Sequence, residues 1–243
     1  WRRKAAQLNG LAPCIYIPNY DDDYSCISPL LSPGVNVIGI AHSDDPWHYE
    51  HLCRIGHACD AIVGVSSAIS KHISKLVPEW SERLHTIPYG VKLPERSRDR
   101  ASCSHDLAHH NSAPLRIIYT GRLVCRQKRA ADLIMIAREL HSRSVNFELA
   151  IVGDGELRAQ LERSALDLIR DRIVWFTGSQ PNSGVFELLE RADVFLLPSA
   201  FEGLSVSLLE AMARGVVPVV SSLRSGIPDL IRSGGNGLIV PVG

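Results

Sequence analysis

Short apolar segments alternate with amphipathic segments over the second half of the chain, and this alternation restricts the possible folds more than any other feature. Six apolar runs are predicted to form strands, at residues 115–120, 147–152, 172–176, 193–198, 216–221 and 237–240. Helical spacing of apolar residues predicts helices at residues 128–142, 156–169, 185–191 and 207–214, and from residue 228 onward. The pattern indicates an α/β fold in which a parallel sheet carries helices on both faces. Ligands of such folds bind beyond the carboxyl ends of the strands, so the residues that follow each strand are the first candidates for a site.

The N-terminal part of the chain shows a weaker form of the same pattern. Three strands and two helices are predicted there, at residues 35–41, 61–65, 84–88, 47–59 and 66–76. Ser66 is expected to cap the second of these helices. Residues 95–113 are polar and have no periodicity, which indicates a linker. We therefore predict two Rossmann-like, doubly wound domains, at residues 1–94 and 114–243, joined by this linker.

Charge and composition exclude several classes of protein. Lys and Arg together number 26, and so do Asp and Glu, so the chain lacks the basic excess of a general nucleic-acid binder. Apolar residues make up 45% of the chain, which is enough for a core. No apolar run approaches the roughly 20 residues of a membrane span. The six cysteines include no C-x-x-C pair, which argues against a disulfide framework and favours a reducing compartment.

The phrase FEGLSVSLLEAMARG follows the fourth strand of the second half and carries the strongest chemical signal. Glu202 lies in the loop after the strand, and Glu210 lies in the next helix. Gly203, Leu204 and Ser205 are at the N-terminus of that helix, where free backbone N–H groups and the helix dipole form an anion site. Two carboxylates beside a phosphate-binding turn fit the hydroxyl groups that flank the diphosphate of a sugar nucleotide.

A second signal is the phrase TGRLVCRQKR, which follows the first strand of the same half. Arg122 and Lys128 are predicted to lie at the same sheet edge as the phosphate-binding turn. Fixed cations at this place would stabilise the charge that builds up on a departing diphosphate. Arg126 and Arg129 are alternatives to Lys128 for this role.

These phrases closely resemble family 4 of the retaining glycosyltransferases, which have the GT-B fold. The E-x7-E signature of that family matches Glu202 and Glu210, and its G-R-L…K motif matches Arg122 and Lys128. The resemblance implies that Glu202 contacts the transferred sugar and that Glu210 contacts the ribose. It also implies that Arg122 and Lys128 contact the diphosphate. A histidine that ends an N-terminal strand contacts the donor sugar in that family, which points to His42.

Two further assignments depend on short phrases. The phrase GSQ ends the third strand of the second half, where the family binds the nucleotide base, and this points to Gly178 and Gln180. Asp44 and Asp45 follow His42, and either of them could instead cap the next helix.

Nicotinamide and metal sites are not predicted. The phrase VGDG lacks the third glycine of a dinucleotide-binding fingerprint, since Arg158 stands in its place. A dense cluster of metal-ligand residue types fits no standard zinc spacing: His48, His51, Cys53, His57 and Cys59. We expect no cofactor, because the nucleotide sugar is a substrate, and the resemblance implies a metal-independent reaction.

The resemblance implies a retaining glycosyltransferase that moves a sugar from a nucleotide-diphosphate-sugar donor to a hydroxyl acceptor in glycan, glycolipid or polysaccharide synthesis. Two alternatives stay open, a sugar-nucleotide epimerase of the same architecture and a non-catalytic module that binds nucleotide sugars. The expected acceptor is a saccharide or a lipid-linked molecule, and no nucleic acid is expected to bind. We expect a cytoplasmic protein, with peripheral contact at the inner membrane face left open. Because the chain starts at Trp1 and stops just after the phrase GLIVP, we expect an incomplete first domain and a second domain without its terminal helices.

Overall fold

The parallel strands expected from the alternating pattern are present, and they form two separate sheets. The computed structural model describes residues 1–19, 25–95 and 113–242. These residues form two compact units. The first unit consists of Trp1–Tyr89, Phe201–Leu204 and Arg224–Leu230, and the second of Gly90–Ala200, Ser205–Leu223 and Ile231–Gly243. Most of the predicted linker lies outside the described residues, and the predicted domain boundaries stay a prediction.

The first unit is built on a four-stranded parallel sheet with the strand order β1-β2-β3-β4. Its strands are β1 (Cys14–Tyr16), β2 (Val35–Ala41), β3 (Ala61–Gly64) and β4 (Leu84–Thr86). Its helices are α1 (Arg2–Asn9), α2 (Pro46–Ile55) and α3 (Ser67–Leu76). Asp45 caps α2 by accepting a hydrogen bond from the backbone N–H of Trp47 at 2.9 Å, and Ser66 caps α3 as predicted.

Helix α1 and strand β1 of the first unit were not predicted from the sequence, and neither were the 3-10 turns at Ser28–Leu30 and Pro78–Arg83. Helix α1 has no side-chain cap and buries a single residue, Ala5. Strand β1 is three residues long and lies at the edge of its sheet. Segments with so few buried apolar positions leave no periodicity to detect. The helix predicted at residues 47–59 ends at Ile55, and a 3-10 turn at Gly56–Ala58 follows it.

The second unit is built on a six-stranded parallel sheet with the strand order β10-β9-β8-β5-β6-β7. Its strands are β5 (Leu115–Thr120), β6 (Phe147–Val152), β7 (Val174–Gly178), β8 (Val194–Leu197), β9 (Val217–Ser221) and β10 (Leu238–Val240). Its helices are α4 (Ala131–Ser142), α5 (Arg158–Ser164), α6 (Leu166–Arg170), α7 (Asn182–Arg191) and α8 (Val206–Ala213), whereas the short α9 (Ile227–Leu230) belongs to the first unit. The strand order reverses between β5 and β8, which is the arrangement of a doubly wound Rossmann sheet.

The core of the second unit lies around β5 and β6. The last four residues of each of these two strands are buried, as expected for central parallel strands covered on both faces. Tyr119 and Ile151 are fully buried and pack with Leu133 of α4, Leu161 of α5 and Leu168 of α6. Helices and sheet are therefore held together by the apolar stripe that the sequence pattern predicts.

Several predicted boundaries in this unit are wrong, and left-handed or broken backbone explains three of them. Helix α4 begins at Ala131 and not at residue 128, because Arg129 has a φ of +49°. The helix predicted at 156–169 is interrupted at Ala165, whose ψ of 15° lies outside the helical range. Strand β7 begins at Val174 because Arg172, with a φ of +60°, turns the chain just before it.

The Ser66 cap gives a direct test of this local structure. The Ser66 hydroxyl accepts a hydrogen bond from the backbone N–H of Ile69 at 3.3 Å. We expect Ser66→Ala to lower the free energy of unfolding by about 1 kcal/mol in a urea titration. Ser74→Ala on the same helix is the matched control, and since alanine favours helix it should cost nothing. Equal losses in the two variants would contradict the capping role.

Candidate functional site

The second unit has a groove where three neighbouring strands end. It has a volume of about 290 Å³. Its lining comes from the last residues of β5 and β6, from the residues after β5, β6 and β7, and from one residue of α7: Thr120, Gly121, Arg122, Val152, Gly153, Asp154, Ser179, Gln180 and Val185. Two of the predicted site residues, Arg122 and Gln180, therefore share one groove at the carboxyl edge of the sheet.

Glycine backbones join the three strand ends that form this groove. Gly121 N–H donates to the carbonyl of Val152 at 3.0 Å, and Gly153 N–H donates to the carbonyl of Gly178 at 2.9 Å. Gly153 has a φ of +132°, and a Cβ atom at this position would lie 1.9 Å from the carbonyl oxygen of Gly121. Only glycine permits this approach, so the floor of the groove is fixed by backbone contacts.

The loop that carries Arg122 is anchored at both ends. The buried Tyr119 hydroxyl donates to the carbonyl oxygen of Arg122 at 2.8 Å. The Arg122 guanidinium donates to Oε1 of Gln127 at 2.7 Å, and the carbonyl of Gln127 accepts from Ala200 N–H at 2.8 Å. The loop after β5 is thus tied to the segment after β8, and the exposed Arg122 side chain stays available to a ligand at the groove.

Lys128 lies in this loop, three residues before Ala131, and so it does not begin α4 as predicted. Its side chain is half-buried. Of the two alternatives for its role, Arg129 is bound to the carboxylate of Asp132 at 2.7 Å, which satisfies its charge. Arg126 is exposed, so it stays an alternative to Lys128 as the second cation for an anionic ligand.

Ser205 and Glu210 belong to α8 in the same unit. Ser205 caps the helix, since its hydroxyl accepts from the backbone N–H of Leu208 at 3.4 Å. Glu210 is half-buried in the middle of the helix, and burial raises the pKa of its carboxyl, while the nearby Arg214 lowers it. A carboxylate with this degree of burial can accept hydrogen bonds from hydroxyl groups strongly.

Gly178 and Gln180 form the end of β7. Gly178 has a φ of +72°, and its position faces the Arg158 guanidinium, which would lie 2.8 Å from an added Cβ atom. Arg158 is itself held by Asp154 and Glu162, each at 2.9 Å. The exposed Gln180 side chain donates to the carbonyl of Thr177 at 3.0 Å. The turn after β7 therefore has the Arg158 side chain on one side and the hydrogen bond from Gln180 on the other, and its backbone borders the groove.

His42 follows the second strand of the first unit, as predicted, and both of its ring nitrogens have partners. Nε2 is 2.5 Å from Oδ1 of Asn19, which can only accept, so Nε2 carries the proton. Nδ1 then accepts from the Tyr89 hydroxyl, and the two rings are stacked with their planes 9° apart. Burial lowers the pKa of His42, and the nearby His48 lowers it further, so the neutral imidazole is favoured.

The segment with Glu202, Gly203 and Leu204 packs against His42 within the first unit. A Cβ atom at Gly203 would lie 2.0 Å from the carbonyl oxygen of His42, so the two backbones are in direct contact. The carbonyl of Gly203 accepts from Gly226 N–H at 2.7 Å. Glu202 is 5% exposed and Leu204 is buried as well. The structure therefore brings His42 together with the first half of the E-x7-E phrase.

Three side-chain contacts that the sequence did not predict hold this region. Arg224 forms a bidentate contact with Asp44 at 2.7 and 3.0 Å, and Tyr49 donates to the same carboxylate at 2.6 Å. Asp229 accepts from both the hydroxyl and the backbone N–H of Ser67 at the start of α3. Asp44 therefore does not cap α2, and the alternative that it does so is wrong.

The histidines and cysteines of the first unit do not converge. His51 is buried with its Nε2 2.8 Å from the Ser25 hydroxyl. The Cys59 thiol donates to the carbonyl of Ile55, and burial raises its pKa to about 11, which disfavours the thiolate that a metal needs. Among the described residues, no three His, Cys, Asp or Glu side chains are placed to hold a metal ion.

Over residues 1–19, 25–95 and 113–242, no helix has both the length and the apolar character needed to cross a bilayer.

The close contact at Gly203 leads to a testable expectation. Gly203→Ala should destabilise the protein by about 1–3 kcal/mol, because the added methyl group would overlap backbone atoms of His42 and Ser43. Gly90→Ala is the control, since a Cβ atom there meets nothing within 4 Å and should change stability by less than about 0.5 kcal/mol. Denaturant titration measures both, and a harmless Gly203→Ala would show that the two segments do not pack closely.

Comparison with known proteins identifies the family of this chain. Residues 114–243 match the family described as Glycosyl transferases group 1. The amylovoran biosynthesis glycosyltransferase AmsK of Erwinia amylovora is 40% identical over 136 residues, which cover 54% of this chain and 33% of that protein.

Solved structures are similar over almost the whole chain. A point mutant of TarM of S. aureus, in complex with fondaparinux, α-GlcNAc-glycerol and UDP, matches with a TM-score of 0.79 at 18% identity, covering 98% of this chain and 48% of that one. HepE of Anabaena in complex with UDP-glucose matches with a TM-score of 0.75 at 17% identity, covering 100% of this chain and 68% of that one. These likenesses confirm the predicted α/β fold of the GT-B type. The chain spans about half of the length of TarM, and its sequence match covers a third of AmsK. By the family match over more than half of its residues, the chain belongs to the Glycosyl transferases group 1 family.

Proposed function

We propose that the protein is a retaining glycosyltransferase that transfers a sugar from a uridine-diphosphate sugar to a hydroxyl group of a saccharide or lipid-linked saccharide. The observation that carries the proposal is the groove at the ends of β5, β6 and β7, with Arg122 and Gln180 in its lining. It lies at the edge of the sheet where Rossmann folds bind nucleotides. TarM and HepE, whose folds are similar, were solved with UDP and UDP-glucose, which supports uridine as the base.

The second unit holds the nucleotide in this proposal. Gly178 and Gln180 border the base, and the Glu210 carboxylate accepts hydrogen bonds from the ribose hydroxyls. Arg122 and Lys128 contact the diphosphate, together with the backbone N–H group of Ser205 at the start of α8. A helix N-terminus favours phosphate because its first N–H groups lack partners within the helix.

The first unit supplies the groups for the transferred sugar. Glu202 and His42 belong to segments whose backbones are in direct contact. Glu202 is buried, and the His42 ring has fixed hydrogen-bond partners. A neutral His42 can donate from Nε2 to a sugar hydroxyl if that hydroxyl replaces the Asn19 oxygen. Glu202, as a buried carboxylate, can accept from a second hydroxyl and fix the orientation of the ring.

The reaction breaks the bond between the anomeric carbon and the β-phosphate oxygen, and the acceptor oxygen bonds to the same carbon from the same face. The acceptor proton passes to an oxygen of the departing diphosphate. Arg122 and Lys128 stabilise the negative charge that develops on that diphosphate. This course needs neither a covalent carboxylate intermediate nor a metal, and we propose a metal-independent reaction.

The acceptor and the cellular place are part of the same proposal. AmsK acts in amylovoran biosynthesis, which supports a role in polysaccharide synthesis. We propose a cytoplasmic enzyme that meets a lipid-linked acceptor at the inner membrane face. An epimerase or a non-catalytic binding module would use the same groove, and no observation favours either of them over transfer.

Nucleotide binding is the first test. UDP at about 100 times its dissociation constant should raise the stability of the protein by roughly 2.7 kcal/mol in a thermal-shift assay. Glu210→Ala should remove most of this stabilisation, because the ribose hydroxyls lose their acceptor. The control is Glu187→Ala, which removes an exposed carboxylate of α7 and should leave the shift intact. If UDP, GDP and ADP all fail to stabilise the wild-type protein, the proposed donor is wrong.

Transfer and its stereochemistry are tested with UDP-glucose and a simple alcohol as the acceptor. Because UDP-glucose has the α configuration, retention gives an alkyl α-glucoside, and NMR of the anomeric proton identifies it. Glu202→Gln should lower the rate by at least about tenfold while UDP binding persists. A β-glucoside would show inversion, and an epimerised nucleotide sugar would support the alternative enzyme.

A further inference from the structure

Arg214 is a buried cation that the proposed reaction does not use. It ends α8 in the second unit, and its side chain is 3% exposed. Burial of a guanidinium costs free energy unless nearby groups compensate for the lost water. The groups around Arg214 therefore show how its buried charge is compensated and which helices it connects.

Three contacts from two helices surround the Arg214 guanidinium. Nη1 donates to the carbonyl oxygen of Glu210 at 3.1 Å. The guanidinium carbon lies 3.6 Å from the ring centroid of Phe186 on α7, which is a close cation–π contact. Nε lies 3.9 Å from the half-exposed carboxylate of Glu190, also on α7, and it makes no hydrogen bond among the described residues.

These contacts connect the two ends of the proposed nucleotide site. Helix α7 (Asn182–Arg191) begins two residues after Gln180, which we assign to the base. Helix α8 carries Glu210, which we assign to the ribose. Arg214 binds the backbone of Glu210 and stacks on Phe186, so it ties the ribose-binding helix to the base-binding helix.

We propose that Arg214 is a positioning residue for the nucleotide, which fixes Glu210 relative to α7 so that its carboxylate meets the ribose hydroxyls. The inference rests on the proposed function, since it takes Glu210 as the ribose acceptor. Arg214 acts through Glu210 and does not touch the nucleotide.

The charge of Arg214 adds a pH dependence. Burial raises the pKa of Glu210 and Arg214 lowers it, and Arg214 is the charged group that acts on this carboxyl among the described residues. Glu190 of α7 faces Arg214. An ionised carboxylate accepts hydrogen bonds from the ribose hydroxyls more strongly than a protonated carboxyl does, so UDP affinity falls as the pH drops through the pKa of Glu210. Removal of Arg214 raises that pKa, so the fall begins at a higher pH.

The experiment measures the dissociation constant of UDP by calorimetry from about pH 5 to about pH 8. Arg214→Met keeps the length of the side chain and removes the charge. We expect it to weaken UDP binding about tenfold at neutral pH, the equivalent of one lost charge-assisted hydrogen bond, and more at acidic pH. Arg214→Lys keeps the charge, so it should restore the pH profile while part of the affinity loss remains.

A double-mutant cycle separates positioning from general stability. In a Glu210→Gln background the carboxylate is absent, so Arg214→Met should weaken UDP binding much less than it does in the wild-type background. Unfolding of the same proteins is followed by circular dichroism. If Arg214→Met does not fold, Arg214→Lys and Phe186→Leu enter the cycle in its place.

The outcomes distinguish this inference from the proposed function. Additive losses in the cycle, or an unchanged pH profile in Arg214→Met, would mean that Arg214 only stabilises the fold, and would overturn the inference alone. A wild-type protein that binds no UDP would overturn the donor assignment and this inference with it. A non-additive cycle with a shifted pH profile supports both.

Discussion

The pairing of β5 with β8 fixes the middle of the sheet in the second unit, and β5 is one of the strands whose ends border the groove. Ile117 pairs with Val194, and Ile118 pairs with Phe195. Immediately before these pairs, Arg116 forms a bidentate contact with Asp193 at 2.9 and 2.8 Å. The strand order reverses at this pair, so the connections that leave β5 and β8 run to opposite faces of the sheet and open a crevice between them. The loop with Arg122 leaves from one side of that crevice.

Buried parallel strands are the part of the fold that the sequence predicts best. Strands β5 and β6 have the bounds that their apolar runs indicate, because a strand buried on both faces tolerates few polar residues. Strand β2 also has its predicted bounds, although its burial alternates along the strand. Helix and strand ends are predicted less well. Arg129 and Arg172 adopt left-handed backbone although neither is glycine or asparagine, so no residue type marks these turns.

The candidate site likewise has a part that the sequence predicts and a part that it does not. Residues that follow a strand directly, such as His42, Arg122 and Gln180, lie at a sheet edge because the position of the strand decides where they are. Their partners come from distant parts of the chain. His42 contacts Tyr89, and Asp44 contacts Arg224 across 180 residues of sequence. No local pattern encodes such pairs, so only the folded chain shows them. The functional roles of these residues stay predictions until the binding and transfer experiments are done.

The chain passes repeatedly between the two units, since Phe201–Leu204 and Arg224–Leu230 pack with the first unit while their sequence neighbours belong to the second. This has a consequence for protein engineering. A chimera made by exchanging everything after the linker would carry both segments into a foreign host and separate Gly203 from His42, Arg224 from Asp44 and Asp229 from Ser67. Recombination between members of this family should therefore keep these two short segments with their N-terminal partners, or exchange the matching residues of α3 and of the loop after β2 along with them.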